Sequence, residues 1–155
     1  MADNQLHASE DETELLSFRV GTQEYCVEIM LVREIRGWTR ATPLPHSPPH
    51  VKGVINLRGI VLPVIDLSAR LGMDPIEGVD RNVIVVVSVG EITAGLLVDA
   101  VSDILTVSEK DMQPAPEIAA GRSGRYIRAL IVTDEKLIRV LDLKTILPGE
   151  NQDAA

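Results

Sequence analysis

Cysteine, histidine and aromatic residues are scarce in this 155-residue chain, and each scarcity removes a class of function. The one cysteine, Cys26, has no partner for an internal disulfide. Between Tyr25 and Val27 it reads as a small core residue rather than a nucleophile. Of the three histidines, His7 lies in an acidic leading stretch, while His46 and His50 are separated by Ser47-Pro48-Pro49. Those prolines forbid the helix that would align two imidazoles on a metal, so no metal site is expected. Phe18, Tyr25, Trp38 and Tyr126 are all the aromatics, which leaves Val, Ile and Leu to build the core. A formal net charge of −8 disfavours a phosphate backbone or an anionic lipid surface as the main partner. Nor is there a nucleophile motif, a phosphate-cradling glycine loop or a paired-carboxylate signature. The chain is therefore read as a non-enzyme without a cofactor.

What is present is aliphatic. Hydrophobic residues make up 45% and charged residues 25%, the balance of a soluble globular protein. At this length roughly 68–70% of the unfolded surface can be buried, so no covalent staple is needed. No start resembling a secretion signal and no apolar run of about 18 residues occurs, which predicts a cytoplasmic protein. Residues 1–14 form an acidic tail expected to be disordered, and 149–155 a flexible one. From Leu15 onward the pattern has period two or is continuously apolar. It predicts strands at 15–20, 23–28, 39–44, 51–57, 60–65, 83–89, 92–98, 101–107, 127–133 and 136–141. Gly21-Thr22 and Gly90-Glu91 look like hairpin turns. Asp66 and Asp142 read as caps of two short helices, and apolar residues at 29, 32 and 35 suggest a third helical turn.

The two halves repeat. At an offset of 69, Phe18 falls on Val87, Val20-Gly21 on Val89-Gly90, Val32 on Val101, Glu34 on Asp103 and Ile35 on Ile104. At an offset of 76, Ile55 falls on Ile131, Val64 on Val140, Asp66-Leu67 on Asp142-Leu143 and Leu71 on Leu147. Pro43-Leu44-Pro45 is echoed by Pro114-Ala115-Pro116. A duplicated unit of about five short strands predicts two small barrels, over residues 15–72 and 79–148, with exchange of terminal segments left open.

One string breaks the symmetry. Asn56-Leu57-Arg58-Gly59 interrupts an apolar run, and the second half has Val132-Thr133-Asp134-Glu135 there. Glu34 could pair with Arg58 in the first unit, whereas Asp103 and Asp134 would repel in the second. A plain hairpin turn would explain Gly59; the asymmetry favours a functional Arg58. Arg33, Arg36 and Arg40 with Trp38 could stack on a nucleotide, a reading that so acidic and aromatic-poor a chain disfavours. A small-ligand-binding β-barrel thus stands as the alternative from another class.

Glu24-Tyr25-Cys26-Val27-Glu28-Ile29, Val32-Arg33-Glu34-Ile35, Lys52 to Gly59, Leu62 to Leu67 and Gly95 to Val101 strongly resemble the CheW family of chemotaxis coupling proteins, in order, from about Leu15 to Leu147. The resemblance implies two tandem five-stranded SH3-like β-barrels and no catalysis. It implies an adaptor, a monomer when isolated, between chemoreceptor tips and the regulatory domain of the histidine kinase CheA. By motif, Val32, Glu34, Arg58, Val98 and Val101 fall on the receptor-binding groove. Gln113, Pro114, Pro116 and Ile118 fall on a kinase contact. An adaptor of another chemosensory pathway, such as one for surface motility, fits the same motifs. Two positions depart from the family pattern: Cys26 stands where Gly or Ala is common, and Ala129 where Gly is common, which requires negative φ there.

Overall fold

The computed structural model describes residues 12–114, 121–133 and 136–147. Among them run eleven strands: β1 (Glu12–Val20), β2 (Gln23–Glu28), β3 (Val32–Gly37), β4 (Val51–Leu57), β5 (Ile60–Asp66), β6 (Val83–Val89), β7 (Ile92–Val98), β8 (Ala100–Ser108), β9 (Met112–Gln113), β10 (Ile127–Val132) and β11 (Leu137–Leu141). Two helical turns, Leu67–Arg70 and Leu143–Ile146, follow β5 and β11, each opened by an aspartate that accepts a backbone N–H. Val20 faces Gln23 and Val89 faces Ile92, which leaves two-residue turns with positive φ at Gly21 and Gly90. Positive φ at the first central residue alone is the pattern of a type II′ turn, whose twist suits a hairpin.

The strands form two sheets of order β8-β1-β2-β11-β10-β9 and β3-β6-β7-β5-β4. Substituting β8, β1, β2, β11 and β10 for β3, β6, β7, β5 and β4 turns the second order into the first. The register agrees to the residue. The parallel pair Val64–Gly95 of β5 and β7 is matched by Val140–Cys26 of β11 and β2, at the offsets of 76 and 69. Each sheet also returns to its own edge. Thr42, just past β3, exchanges hydrogen bonds of 2.8 and 2.9 Å with Val54, and Gln113 of β9 pairs likewise with Leu130. The result is two SH3-like barrels. Each sheet draws on both halves of the chain: the hairpin β1–β2 pairs with β8 and β11, and the hairpin β6–β7 with β3 and β5.

Three cores explain why the strands are so continuously apolar. In β6, Ile84 and Val86 enter one barrel, while Val85 and Val87 face a central core between the sheets. Phe18, Tyr25, Val27, Ile65, Leu96 and Val98 share that central core. Leu15, Cys26, Ile131 and Val140 fill the other barrel. A strand buried on both faces has no polar side to alternate. Cys26 shows how the repeats diverged. A Cβ on its counterpart Gly95 would lie 2.7 Å from Cγ2 of Ile84, but Leu15, at the place of Ile84, has no such methyl.

The strand expected at 39–44 is not formed; β3 lies at 32–37 instead, and Thr42 contributes one isolated bridge. The third helical turn shrinks to a 3-10 turn, Ile29–Leu31. Residues 32–37 alternate half-buried and exposed along the edge of a sheet, and that alternation outweighs the spacing of 29, 32 and 35.

Candidate functional site

Leu57 faces Ile60 across the β4–β5 hairpin, so Arg58 and Gly59 alone make the turn. Their φ values are 52° and 87°, and two positive values define a type I′ turn. Asn56 Oδ1 accepts the Gly59 N–H at 2.8 Å and fastens the loop from below. Glycine, asparagine and aspartate adopt the left-handed region readily, while arginine carries a Cβ that crowds the backbone there. Arg58 thus occupies a position its backbone does not favour.

The turn delivers Arg58 to β3. A bulge at Arg33 sets Val32 opposite Val87 and Glu34 opposite Val86. Arg58 Nη2 donates to Glu34 Oε2, and Arg36 Nη1 donates to Glu34 Oε1 at 3.2 Å. One carboxylate is held between two guanidiniums, as the comparison of the repeats anticipated for Arg58 and Glu34. The hydrogen bond from Arg58 holds the Glu34 carboxyl below its ordinary range against a smaller opposing effect of burial, with Arg36 adding to the shift. The same bond raises the affinity of Arg58 for its proton. The pair stands over a hollow of about 230 Å³ walled by Leu57, Leu62 and Val86, with Ser88 and Thr93 at 2.7 Å from one another. Ile60, well exposed at the start of β5, lines the same hollow. These side chains and Arg36 were missed as part of the site, because alternation alone does not reveal which barrel end stays open.

The second repeat builds no such pair among the described residues. Asp103 Oδ1 accepts from the backbone of Ile104, and Ser17 Oγ bonds to both backbone groups of Asp103. Val32 and Val101 stand at matching places beside matching bulges, half-buried and packed on the central core. Val98 corrects the sequence reading. It is 0% exposed, points into the central core and has no surface to offer a partner. Gln113 and Pro114 are exposed beside β10, whereas Pro116 and Ile118 lie outside the described residues.

Asp66 and His50 serve the fold. Asp66, 1% exposed, accepts from Ala69 N and Ile76 N and lies 3.8 Å from Lys52 Nζ. His50 gives its carbonyl to Asp66 N, and burial, reinforced by Arg70, holds its imidazole below the usual value. Among the described residues no three His, Cys, Asp or Glu side chains gather as a metal site would need. Nor is any helix among them long and apolar enough to cross a membrane.

Comparison with known proteins agrees with this architecture. Residues 14–151 match the CheW-like domain family. The chain is 52% identical over 149 residues to the chemotaxis protein CheW of Rhizobium meliloti, covering 96% of each chain. It is 34% identical to the chemotaxis protein CheW of Klebsiella aerogenes, over 88% of this chain and 82% of that one. Among solved structures, the scaffolding protein TtCheW from Thermoanaerobacter tengcongensis superposes with a TM-score of 0.78 at 28% identity, covering 84% of this chain and 88% of the other.

Proposed function

The chain belongs to the CheW-like family, and on that premise we propose that it is a non-catalytic adaptor of bacterial chemotaxis. It holds the cytoplasmic tip of a methyl-accepting receptor and the regulatory domain of the histidine kinase CheA in one array, and meets the membrane only through the receptor. The observation that carries the receptor assignment is the Glu34–Arg58 pair, built on an arginine in a left-handed turn and without a counterpart among the described residues of the second repeat. A side chain kept where its backbone is disfavoured is explained by what it touches rather than by stability. A receptor helix lays an apolar stripe on Val32 and Val101 while the charged rim sets its register.

The kinase contact is assigned to Gln113, Pro114, Pro116 and Ile118. Stable interfaces bury roughly 1,200–2,000 Å² around an apolar centre, so a charge there is disruptive. Ile118→Asp is therefore expected to weaken kinase recruitment, and recruitment at the normal level would remove that loop from the interface.

The test of the receptor site is a charge swap. Arg58→Glu is expected to weaken receptor binding and kinase activation while leaving thermal melting nearly unchanged. Adding Glu34→Arg restores part of the binding if the two residues act as a pair. Normal receptor binding by Arg58→Glu would reduce the turn to a turn.

A further inference from the structure

The first helical turn is covered by the chain that follows it, and a groove lies beside the second among the described residues. After Leu67–Arg70 the backbone doubles back: Met73 N donates to the Ser68 carbonyl at 2.8 Å, Ser68 Oγ donates to the Asp74 carbonyl at 2.5 Å, and Ile76 N donates to Asp66 Oδ2 at 2.8 Å. Met73 packs on the central core and Ile76 is buried in the barrel of β3–β7. The offset of 76 sets Asp142, Leu143 and Lys144 on Asp66, Leu67 and Ser68, and Gly149-Glu150-Asn151-Gln152 on Met73-Asp74-Pro75-Ile76. Of that cover only the acid is repeated. Both apolar side chains are missing from the chain's own continuation.

The counterpart surface joins four aliphatic side chains to the charged Glu28, Arg128, Asp142 and Lys144. A groove of about 360 Å³ beside the second turn is lined by Leu31, Val89, Leu141 and Leu143, all part of the central core or packed against it. Exposed Lys144 stands where Ser68 meets the carbonyl of Asp74, and Arg128 stands in the same groove, 2.9 Å from Glu28. Asp142 Oδ1 caps Lys144 N at 3.1 Å, which uses one of the several acceptor positions of a carboxylate.

We propose that this groove docks an extended segment of a partner protein with the chemistry of the missing cover. The segment carries a methionine- or leucine-sized side chain, an acid directly after it, and a branched aliphatic two residues beyond the acid. The apolar side chain fills the space over Leu141 and Leu143, the acid meets Lys144, and the backbone N–H of the aliphatic residue goes to Asp142. The first repeat is the template, and the charge of Lys144 selects the acid. The groove is built from β2, β10, β11, the end of β6 and the turns that follow β2 and β11, apart from the Glu34–Arg58 pair, so its failure would leave the receptor reading intact.

The experiment uses the chain's own cover as probe. A capped peptide of residues 72–78, Gly-Met-Asp-Pro-Ile-Glu-Gly, is titrated into the ¹⁵N-labelled full chain. Saturable shifts confined to the amides around Leu31, Arg128 and Lys144 are expected. Serine in place of the peptide's methionine is expected to weaken binding at least about tenfold, the scale of losing one buried apolar side chain. Lys144→Glu, at an exposed position that leaves the fold intact, is expected to weaken the acidic peptide and favour one with lysine in place of aspartate. Absent, unsaturable or substitution-insensitive shifts would overturn the proposal. So would a chain ending at Leu147 that shows the same shifts without peptide, since the occupant would then be the chain's own tail.

Discussion

Gly53 and Ala129 occupy the same bulge in the two barrels, and only the glycine lies at positive φ, 149°. A Cβ on Gly53 would stand 2.2 Å from the carbonyl oxygen of Thr42 and 2.5 Å from its carbon. Thr42 closes the barrel through its two hydrogen bonds to Val54, so neither backbone can retreat without opening the barrel. Gly53→Ala is therefore expected to destabilise the protein by clearly more than 1 kcal/mol, and Ala129→Gly by only about 0.4–1 kcal/mol, the ordinary cost of a freer unfolded chain. Denaturant titration of both variants checks this; equal losses would mean that the close approach to Thr42 has no energetic weight.

Cys26 supplies a probe of global opening. It is fully buried, and desolvation pushes its thiol up to about 12, with Arg128 opposing. It is the thiolate that attacks a thiol reagent, and this site neither forms it at neutral pH nor exposes it. Labelling of the native protein is expected to follow the rate of unfolding, and to become immediate in denaturant. Rapid labelling under native conditions would show that β2 and β11 part locally.

Most of the fold was legible because two signals reinforced one another. Patterning, of period two or continuously apolar, located β2, β4, β6 and β7 to the residue, and the registers of β5–β7 and β11–β2 correspond at the offsets of 69 and 76 that relate the halves. β3 is nonetheless implied by the repeat: the strand expected at 101–107, carried back by the offset of 69, covers 32–38. Val98 failed for a different reason. The motif placed its backbone near the groove, but Ala94, Leu96 and Val98 all face the central core, and alternation does not say which of two cores a side enters. The pairing of Arg58 with Glu34 came from the difference between repeats. The left-handed turn that enforces it was hidden, because arginine is a poor predictor of such a turn. The groove beside Leu143–Ile146 was hidden too, since its significance rests on what the linker covers in the other repeat.

The titration of Glu34 reads the pair directly. With Arg58 and Arg36 both donating to it, its carboxyl titrates below the ordinary range. A lowered folded value means that the pair's contribution is present above the unfolded range and is lost as pH falls through the lowered value. Carboxyl ¹³C shifts are expected to move at lower pH than for free glutamate, and to return part of the way in Arg58→Asn, where Arg36 remains. A Glu34 midpoint at the ordinary value in the unaltered protein would mean that the pair does not persist in solution.

Arg58→Asn separates stability from function. Asparagine accepts the left-handed conformation at the first position of a type I′ turn, and Asn-Gly is its most favourable sequence. The substitution relaxes the backbone at 58 and gives up one ion pair that is exposed on the arginine side, which contributes little to folding. The variant is expected to melt at or slightly above the temperature of the unaltered protein. Receptor binding is expected to fall together with kinase activation, because the amide cannot span to Glu34 or present a guanidinium at the rim. A purely structural turn would give the same melting result with normal binding. An arginine retained for the hairpin itself would lower melting and leave binding per folded molecule unchanged. Only an arginine held there for a partner gives a protein that is no less stable and yet couples poorly.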